Sequence, residues 1–388
     1  MSGRYGRAIG DQLAGGRRPR RFTGGRRPRR AARGVAAGAA VALVAAGAAC
    51  ALAGAASALA ATPAASWHIV KRVHSGGSGD VTAVVAVGKT GGWAFNGISG
   101  PTAWERSGNT WTRVAFPGRS GEEVVAAGAS SASNVWAFTD GGTTGRALRW
   151  NGHRWAAEAS FGAPVGGAVV LGPNNVWVFG QPGPPALGTW HYNGHTWAKV
   201  RSGHGLDGGS GLSADDVWAF AGTRVAHWNG RAWTRTSVAG LLPAKQELND
   251  PAVVGVAALA GNNVYAIGSG NAEDEGGPTV VLHYNGHTWS KVAEGSFGVG
   301  TSPVQQVSAD GHGGLWIPMP GFDGRRSYLL HYSAGHLTQA ALPGGAARID
   351  VESVSHIPGT AQVLGGGFRH AAGNPGTGVV AVILQYER

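Results

Sequence analysis

Cysteine is almost absent from this sequence, because Cys50 is the only one among 388 residues. It lies in an apolar segment near the amino terminus, so the rest of the chain has no disulfide, no cysteine nucleophile and no thiolate metal ligand. The segment 47–50 is similar to a lipid-attachment motif, but Gly47 stands where such motifs carry leucine. We therefore expect an ordinary apolar cysteine at this position.

Charge imbalance is also absent from most of the chain. The formal net charge of +11 arises at the amino terminus, where residues 1–33 hold 11 arginines and a single acid, Asp11. Residues 34–64 carry no charge, and residues 65–388 hold 21 basic and 20 acidic side chains. A domain so close to neutral lacks the basic surface that nucleic acid requires, so we expect no nucleic-acid partner.

Motifs for catalysis or metal binding are missing as well. No G-x-S-x-G sequence marks a nucleophile elbow. Seven of the 14 histidines recur at equivalent places of a repeat, one or two per unit, and such spacing distributes them around a ring instead of bringing them to one ion. These histidines are His153, His191, His195, His227, His283, His287 and His331. We therefore predict no catalytic residue, no metal site and no cofactor.

The first 61 residues have the composition of an export signal. Residues 1–33 form a Gly/Arg/Pro-rich leader that cannot build a core and is expected to be disordered. An uncharged Ala/Val/Leu/Gly segment follows at 34–61, and Ala58-Leu59-Ala60 is a small-residue cleavage motif. Cleavage is favoured over an uncleaved membrane anchor, and both alternatives place the following domain outside the cytoplasm. The richness in Gly, Ala and Arg is typical of actinobacterial proteins.

A repeat of about 40–50 residues fills the region 66–388. An apolar strand that usually contains an aromatic residue recurs seven times, at spacings between 41 and 51 residues. Its copies lie at 92–95, 135–138, 176–179, 217–220, 264–267, 315–317 and 363–364. Repeats of this length are typical of the four-stranded blades of β-propellers. The sequence therefore predicts an all-β, seven-bladed β-propeller of four-stranded antiparallel blades.

The other strands of each unit follow from the same alignment. Runs of small apolar residues precede most of the aromatic strands, at 81–87, 124–127, 167–171, 253–259, 304–307 and 351–354, and we interpret them as innermost strands. After the aromatic strand comes a hairpin, whose clearest forms contain Asn-Gly at 151–152, 193–194, 229–230 and 285–286. Asn-Gly predicts type I′ turns. Each unit thus has strands a, b, c and d from the axis to the rim.

Tryptophan is abundant, with 15 residues, and its placement favours a structural role. An alternative is stacking on sugars, but the repeat places these side chains where one twisted sheet packs on the next. The structural positions include Trp67, Trp93, Trp111, Trp136, Trp155, Trp177, Trp197, Trp218, Trp233, Trp289 and Trp316.

The unit resembles the kelch repeat and the secreted bacterial propellers related to it. The resemblance covers 66–388 and rests on the apolar strand that ends near glycine, a variable loop, and an aromatic-turn-Trp-Thr-Lys-Val segment; Gly366-Gly367 is the clearest copy of the kelch glycine pair. Kelch-like propellers are mostly binding platforms, and a minority are oxidases. Those oxidases need a cysteine cross-linked to tyrosine, which 66–388 does not contain.

The chain ends predict how the ring closes. The seventh unit stops after its third strand, whereas residues 66–73 have the pattern of an isolated strand d. We predict that 66–73 pairs beside 379–386 and completes the seventh blade, which leaves no sheet edge unpaired.

Variable loops on a rigid frame are where binding groups usually lie. The loops that join strands b to c and d to a vary most in length and carry the most distinctive charges, so we predict that ligand contacts come from that face. The candidate ligand-binding residues are Lys245, Glu247, Asp250, Glu273, Asp274, Glu275, Asp323, Arg325, Arg326, Arg348 and His370. The acidic segment 271–275 has enough carboxylates for a calcium loop, but a solvated loop is favoured.

Three functions remain open at this point. We favour a binding or scaffold module for a protein, peptide or glycan, located at the cell surface or outside the cell. The alternatives are a glycan-active hydrolase or lyase that uses the axial pocket, and a purely structural envelope protein. Converging charged side chains at the axis would favour the enzyme, whereas a broad exposed apolar patch would favour a protein partner. A membrane contact is expected only through 34–61.

Overall fold

The computed structural model of the protein describes residues 65–73, 79–97, 100–180, 186–245, 250–270, 278–297, 306–319, 327–344, 348–370 and 379–387. All of them belong to one compact unit, Ala61–Arg388. The leader at 1–33 and the apolar segment at 34–61 lie outside the described residues. Within the described residues, no helix has the length and apolar character needed to cross a membrane.

Seven four-stranded antiparallel sheets build the fold, and this confirms the predicted seven-bladed propeller. Blades 1 to 6 each use four consecutive strands. In blades 1 to 3 they are β2 (Val81–Val87), β3 (Gly91–Asn96), β4 (Thr102–Ser107), β5 (Thr110–Val114), β6 (Glu123–Ser131), β7 (Asn134–Asp140), β8 (Gly145–Trp150), β9 (Trp155–Phe161), β10 (Val165–Gly172), β11 (Asn175–Gly180), β12 (Thr189–Tyr192) and β13 (Trp197–Val200).

Blades 4 to 6 continue the same order, with one short 3-10 helix, Ala239–Leu241, after blade 4. Their strands are β14 (Gly208–Ser213), β15 (Asp216–Ala221), β16 (Arg224–Trp228), β17 (Trp233–Ser237), β18 (Ala252–Ala260), β19 (Asn263–Ser269), β20 (Pro278–Tyr284), β21 (Trp289–Ser296), β22 (Ser308–Ala309), β23 (Leu315–Met319), β24 (Tyr328–Ser333) and β25 (His336–Gln339).

The seventh blade joins the two ends of the chain, as the sequence predicts. It consists of β26 (Ile349–His356), β27 (Val363–His370), β28 (Val379–Glu387) and, on the outside, β1 (Ser66–Val73). The register of β1 on β28 runs from Ser66 opposite Glu387 to Val73 opposite Ala381. This pairing closes the ring without leaving the outer edge of β28 free.

Aromatic side chains fill the spaces between neighbouring blades. Trp136 of blade 2 is fully buried and meets Tyr192 and Trp197 of blade 3 edge to face, with ring centroids 5.4 and 5.9 Å apart. The same contact recurs between the other blades, for example from Trp177 to Trp233 at 5.5 Å. Because large rings bury much apolar area and prefer edge-to-face packing, these contacts are a main source of stability between blades.

The hairpin turns differ from the prediction. In the four Asn-Gly hairpins, Asn keeps a negative φ and only glycine is left-handed, as at Gly152 with φ of 96°, so these turns are not type I′. The reason is a side-chain bond: Asn151 Oδ1 accepts hydrogen bonds from the backbone N–H groups of residues 153 and 154. Such Asx bonding stabilises a four-residue loop. Among the described residues, two adjacent left-handed positions occur in a hairpin of blade 6, at Ala334-Gly335.

Two innermost strands also differ from expectation. Strand β14 of blade 4 has no counterpart among the predicted runs, because its sequence GGSGLS is polar and glycine-rich. Glycine nevertheless suits the crowded axis at position 211, because an added Cβ atom would lie only 3.1 Å from the Val169 side chain of the neighbouring blade. In blade 6 the described strand is Ser308–Ala309, which begins after the predicted run 304–307.

Candidate functional site

The propeller has two faces of different character. The turn face, as we call it, carries the a–b and c–d turns; these pack on each other within a blade, and a Cβ atom on Gly230 would lie 2.9 Å from Asp215 Cβ. The loop face carries the b–c and d–a loops. Arg348 from a d–a loop and His370 at the start of a b–c loop meet there. Ligand contacts are therefore expected on the loop face.

Four of the eleven predicted ligand-binding residues belong to the described part of the chain. Lys245 and Asp250 form an exposed ion pair, with Nζ and Oδ1 2.6 Å apart. Arg348 and His370 both bind the carboxylate of Asp350, at 2.7 and 2.8 Å. Glu247, Glu273, Asp274, Glu275, Asp323, Arg325 and Arg326 lie outside the described residues.

Asp350 is only 1% exposed and organises the loop-face end of blade 7. Arg348 Nε donates a hydrogen bond to Asp350 Oδ1, and Arg348 Nη2 forms an ion pair with Oδ2. His370 Nε2 lies 2.8 Å from the same Oδ2 atom. A bidentate guanidinium with a further ring nitrogen supplies both charge and hydrogen bonds to a buried carboxylate. Asp350 is thus already satisfied by protein groups, and Arg348 and His370 are held in place by it.

An axial channel of about 270 Å³ runs between the innermost strands. Among the described residues, its wall consists mainly of small apolar side chains with a few hydroxyl groups and Gln306, and none of these side chains is charged. Several hydroxyls bridge neighbouring blades: Ser353 and Ser355 of blade 7 accept hydrogen bonds from the backbone N–H groups of Val84 and Ala86 in blade 1, each at 3.0 Å. These hydroxyl groups therefore stabilise the ring as well as line the channel.

Three carboxyl groups lie close together at the loop-face ends of the innermost strands. Asp80 precedes strand β2, Glu123 begins β6, and Glu352 lies in β26, so neighbouring blades 1, 2 and 7 contribute one each. We call Asp80, Glu123 and Glu352 the carboxylate cluster. The three groups are near enough for the charges of Asp80 and Glu123 to act on Glu352, and for the charge of Asp80 to act on Glu123. Among the described residues, no Lys or Arg forms a salt bridge with any member of the cluster.

The environment favours the protonated form of all three groups. Burial, followed by the charges of Asp80 and Asp140, raises the pKa of Glu123 to about 7. Burial and the neighbouring carboxylates raise the pKa of Glu352 well above its ordinary value, and burial also raises that of Asp80. Like charges in a poorly solvated site disfavour ionisation, so each member of the cluster releases its proton at a higher pH than an ordinary carboxyl group.

Sequence reasoning missed this cluster, although a signal for it exists. Register with strand b shows that Asp80, Glu123 and Asp350 occupy the same position of the repeat in three blades that ring closure makes neighbours. Glu352 lies at a β-bulge between Val351 and Ser353. Aligning the innermost strands would have revealed Asp80 and Glu123, but not Glu352.

A second groove of the loop face lies between blades 3 and 4. Arg235 holds the d–a loop there through hydrogen bonds to the carbonyl oxygens of Ser202 and His204. Burial raises the pKa of Asp207 to about 6, while the charge of Arg235 acts in the opposite direction. The groove is lined mainly by small residues, with Asp207, Arg224 and Arg235 as its charged groups.

The described residues contain neither a metal-binding group of side chains nor a broad exposed apolar surface. No group of three or more His, Cys, Asp or Glu side chains in this part of the chain is arranged to hold a metal ion. Its exposed large hydrophobic residues are Val70 and Leu212, which are 36% and 38% exposed. They do not form the broad apolar patch that would favour an apolar protein interface.

Comparison with known proteins supports the fold. No family model and no curated protein matches the chain. Solved propellers do match: YCF48 bound to D1 peptide, with 12% identity over 83% of this chain and 97% of the other and a TM-score of 0.52, and the WD40 β-propeller domain of Doa1, with 12% identity over 82% and 96% and a TM-score of 0.55.

The WD40 repeats of RRP9 are also similar, with 11% identity over 83% of this chain and 98% of the other and a TM-score of 0.56. At such low identity these likenesses establish the propeller fold alone. One of the similar propellers is bound to a peptide, and propellers commonly serve as binding modules.

Proposed function

We propose that this chain is an exported, kelch-like propeller that binds a protein, peptide or glycan through its loop face, outside the cytoplasm. The observation that carries the proposal is the contrast between the faces. The turn face consists of short, repeated, self-packed turns, whereas the loop face has connections of very unequal sequence length and, among the described residues, two grooves. Groups on such loops can bind a ligand without disturbing the frame.

Export is supported by the sequence of the first 61 residues. The arginine-rich leader, the apolar segment and the Ala58-Leu59-Ala60 motif are arranged as in a secretory signal. The propeller is then secreted or attached to the outer face of the cytoplasmic membrane. Protease treatment of intact cells tests this location: an exported propeller is digested or released, and a propeller that is fully protected until lysis contradicts it.

The loop face is tested by charge reversal. A glycan array and cross-linking in envelope extract first provide a ligand. Arg325→Glu with Arg326→Glu, or removal of 245–249, should then weaken its binding and leave the melting temperature nearly unchanged. The matched controls are His195→Glu and His287→Glu, which lie in exposed c–d turns of the turn face. Cross-links that map to those turns would contradict the proposal.

A glycan-active enzyme is the second candidate, because three carboxyl groups of neighbouring blades lie close together at the loop-face ends of the innermost strands. Glycan turnover that Glu352→Gln abolishes would support the enzyme; glycan binding without turnover supports the binding module.

A further inference from the structure

The groove between blades 3 and 4 combines a wall of small residues with charged groups of both signs. Its volume of about 510 Å³ lies in the range of pockets that hold small molecules. Asp207 comes from the d–a loop, Arg224 begins strand β16, and Arg235 lies in β17, so three segments of the chain bring these charges to one groove. Alanine, glycine and threonine residues form most of the remaining wall, at 186, 188, 205 and 221–223, together with His204.

Backbone hydrogen bonds hold two of the charged residues in place. Arg235 Nε and Nη2 donate to the carbonyl oxygen of Ser202 at 3.1 and 2.6 Å, and Nη2 also donates to that of His204 at 2.7 Å. The backbone N–H of Asp207 donates to the carbonyl oxygen of Phe220 at 2.9 Å, which ties the end of the same loop to blade 4. Groups that are fixed before a ligand arrives lose little conformational entropy when it binds.

The two arginines keep hydrogen-bond donors that no described residue uses. Nη1 of Arg235 donates to no described residue, since the bonds of this guanidinium to the loop involve Nε and Nη2. The exposed Arg224 forms neither a salt bridge nor a side-chain hydrogen bond in this part of the chain. Burial, followed by the charge of Arg224, lowers the pKa of Arg235, whereas the charge of Asp207 raises it. Two neighbouring guanidinium groups with free donors are suited to a carboxylate.

Asp207 has the opposite deficiency. Its Oδ1 atom is buried and accepts no hydrogen bond, although the residue as a whole is only partly buried. Within the described residues, no salt bridge joins it to Arg224 or Arg235, which lie near enough for the charge of Arg235 to act on it. Buried acceptors normally have a donor. The groove therefore lacks a donor at Asp207 as well as an acceptor at the arginines.

These two sets of unused groups select the charge of the ligand. A ligand with only a carboxylate would bind the arginines, but Asp207 would repel it and would keep an oxygen atom without a donor. A ligand with only an ammonium group would bind Asp207, but two guanidinium groups would repel it. A zwitterion satisfies both sets, because an ammonium carries three donors and a carboxylate accepts from guanidinium groups through both oxygens.

We propose that the groove between blades 3 and 4 binds a zwitterionic amino acid or short peptide, with its ammonium group at Asp207 and its carboxylate at Arg224 and Arg235. The wall offers no aromatic ring among the described residues, so the ligand is recognised by its charged ends and small side chains such as that of alanine fit. This small-molecule site goes beyond the proposed function and does not depend on it.

Isothermal titration calorimetry of the full-length protein at neutral pH tests the charge requirement. The probes are L-alanine and L-alanyl-L-alanine, which distinguish a single amino acid from a peptide. N-acetylation leaves each probe only its carboxylate, and conversion to the amide leaves only its ammonium group. We expect one of the two zwitterions to bind, and both of its blocked forms to bind at least about tenfold more weakly. Absence of binding by both zwitterions, or equal binding of a blocked form, would overturn the inference.

Variants of the charged residues test the location of the site. Asp207→Asn and Arg224→Gln should each weaken binding of the zwitterion at least about tenfold. Asp207→Asn should also strengthen binding of the acetylated probe, and Arg224→Gln that of the amide, because each removes a repulsion. A disrupted fold would not produce such opposite changes. The matched controls are two exposed residues away from the groove, since Arg231→Gln and Glu158→Gln should change binding less than about twofold.

Arg224 is exposed, so its replacement should leave the melting temperature unchanged and keeps the test valid if Asp207→Asn destabilises the loop. Binding of the zwitterion by the double variant Asp207→Asn, Arg224→Gln at wild-type strength would place the ligand elsewhere and overturn the inference. A macromolecular ligand that maps to the loop face is measured separately, so the proposed function stands or fails independently of this result.

Discussion

The imidazole ring of His331 stacks on the indole of Trp316, with centroids 4.1 Å apart and planes inclined by 14°. Its Nε2 atom lies 2.9 Å from Oδ2 of Asp310, which is 4% exposed. Blade 4 repeats the arrangement with His227 stacked on Trp218 at 4.3 Å. These strand-c histidines thus each serve their own blade: His331 bonds Asp310 of the a–b turn, and His227 bonds Asp216 at the start of the aromatic strand.

Removal of His331 should therefore destabilise blade 6. In His331→Ala, Asp310 loses its side-chain donor and Trp316 loses its stacking partner, so we expect the free energy of unfolding to fall by about 1–3 kcal/mol. The control is His287→Ala, because that exposed residue contributes only its backbone N–H to the turn. Urea denaturation measures both, and equal stability of the two variants would contradict this role.

Ring closure by β1 should contribute strongly to stability. Trp67 is 3% exposed and packs edge to face on Trp316 at 5.1 Å. Trp67→Ala should cost about 3–5 kcal/mol, as for other buried aromatic residues. Val70→Ala, at a position of the same strand that is 36% exposed, is the control and should cost under about 1 kcal/mol. A chain that begins at Gly76 and melts like the full protein would refute the importance of closure.

The number of blades, the order of strands and the closure were all predictable, because one aromatic strand repeats at regular spacing. The innermost strand of blade 4 was not, since Gly208-Gly209-Ser210-Gly211 carries no apolar pattern and forms a strand only through its neighbours. The predicted turn type was wrong for another local reason: Asn151 Oδ1 accepts a hydrogen bond from the backbone N–H of His153.

The carboxylate cluster escaped prediction although the sequence predicts that blades 7 and 1 are neighbours. Glu352 lies at a β-bulge between Val351 and Ser353, and the sequence does not show where a strand shifts its register. The sequence does predict that Arg348 and His370 lie on one face, and the structure joins them through Asp350. What sequence reasoning lacked was the register of the innermost strands.

Removing one partner of the buried ion pair between Arg146 and Glu122 should strongly destabilise the folded protein. Their atoms Nη1 and Oε2 lie 2.8 Å apart, and both side chains are almost inaccessible. Arg146→Met leaves Glu122 charged and buried without its partner, so we expect a loss of about 3–5 kcal/mol.

Replacing both partners, as Arg146→Met with Glu122→Leu, should recover most of that loss, because neither charge remains to be desolvated. The exposed pair Lys291–Glu294 provides the comparison: Lys291→Met should cost under about 1 kcal/mol. Denaturant titrations of the single and double variants form a mutant cycle. A double variant no more stable than Arg146→Met would show that packing, not the unpaired charge, causes the loss.

The carboxylate cluster should make the folded protein more stable at mildly acidic pH. Glu123 ionises with a pKa of about 7 when folded, because of burial and the nearby charges of Asp80 and Asp140, against an ordinary value of 4.5. Between these values the folded state holds a proton that the unfolded state has released. The stability contributed by this proton is full below about pH 4.5 and is lost as the pH rises through 7. The shift corresponds to at most about 3 kcal/mol.

Other groups act in the opposite direction, so the test compares a variant with the wild type at each pH. Burial lowers the pKa of His191 and of His283, and their contribution to stability is lost as the pH falls below about 6.5. Glu123→Gln removes only the carboxyl group. We expect it to raise the melting temperature relative to wild type at pH 8 and to have little effect at pH 4.5, whereas Glu158→Gln at the exposed rim should have no effect at either pH. A difference that is the same at pH 4.5 and pH 8 would mean that Glu123 is neutralised by a partner and that the cluster is not under electrostatic strain.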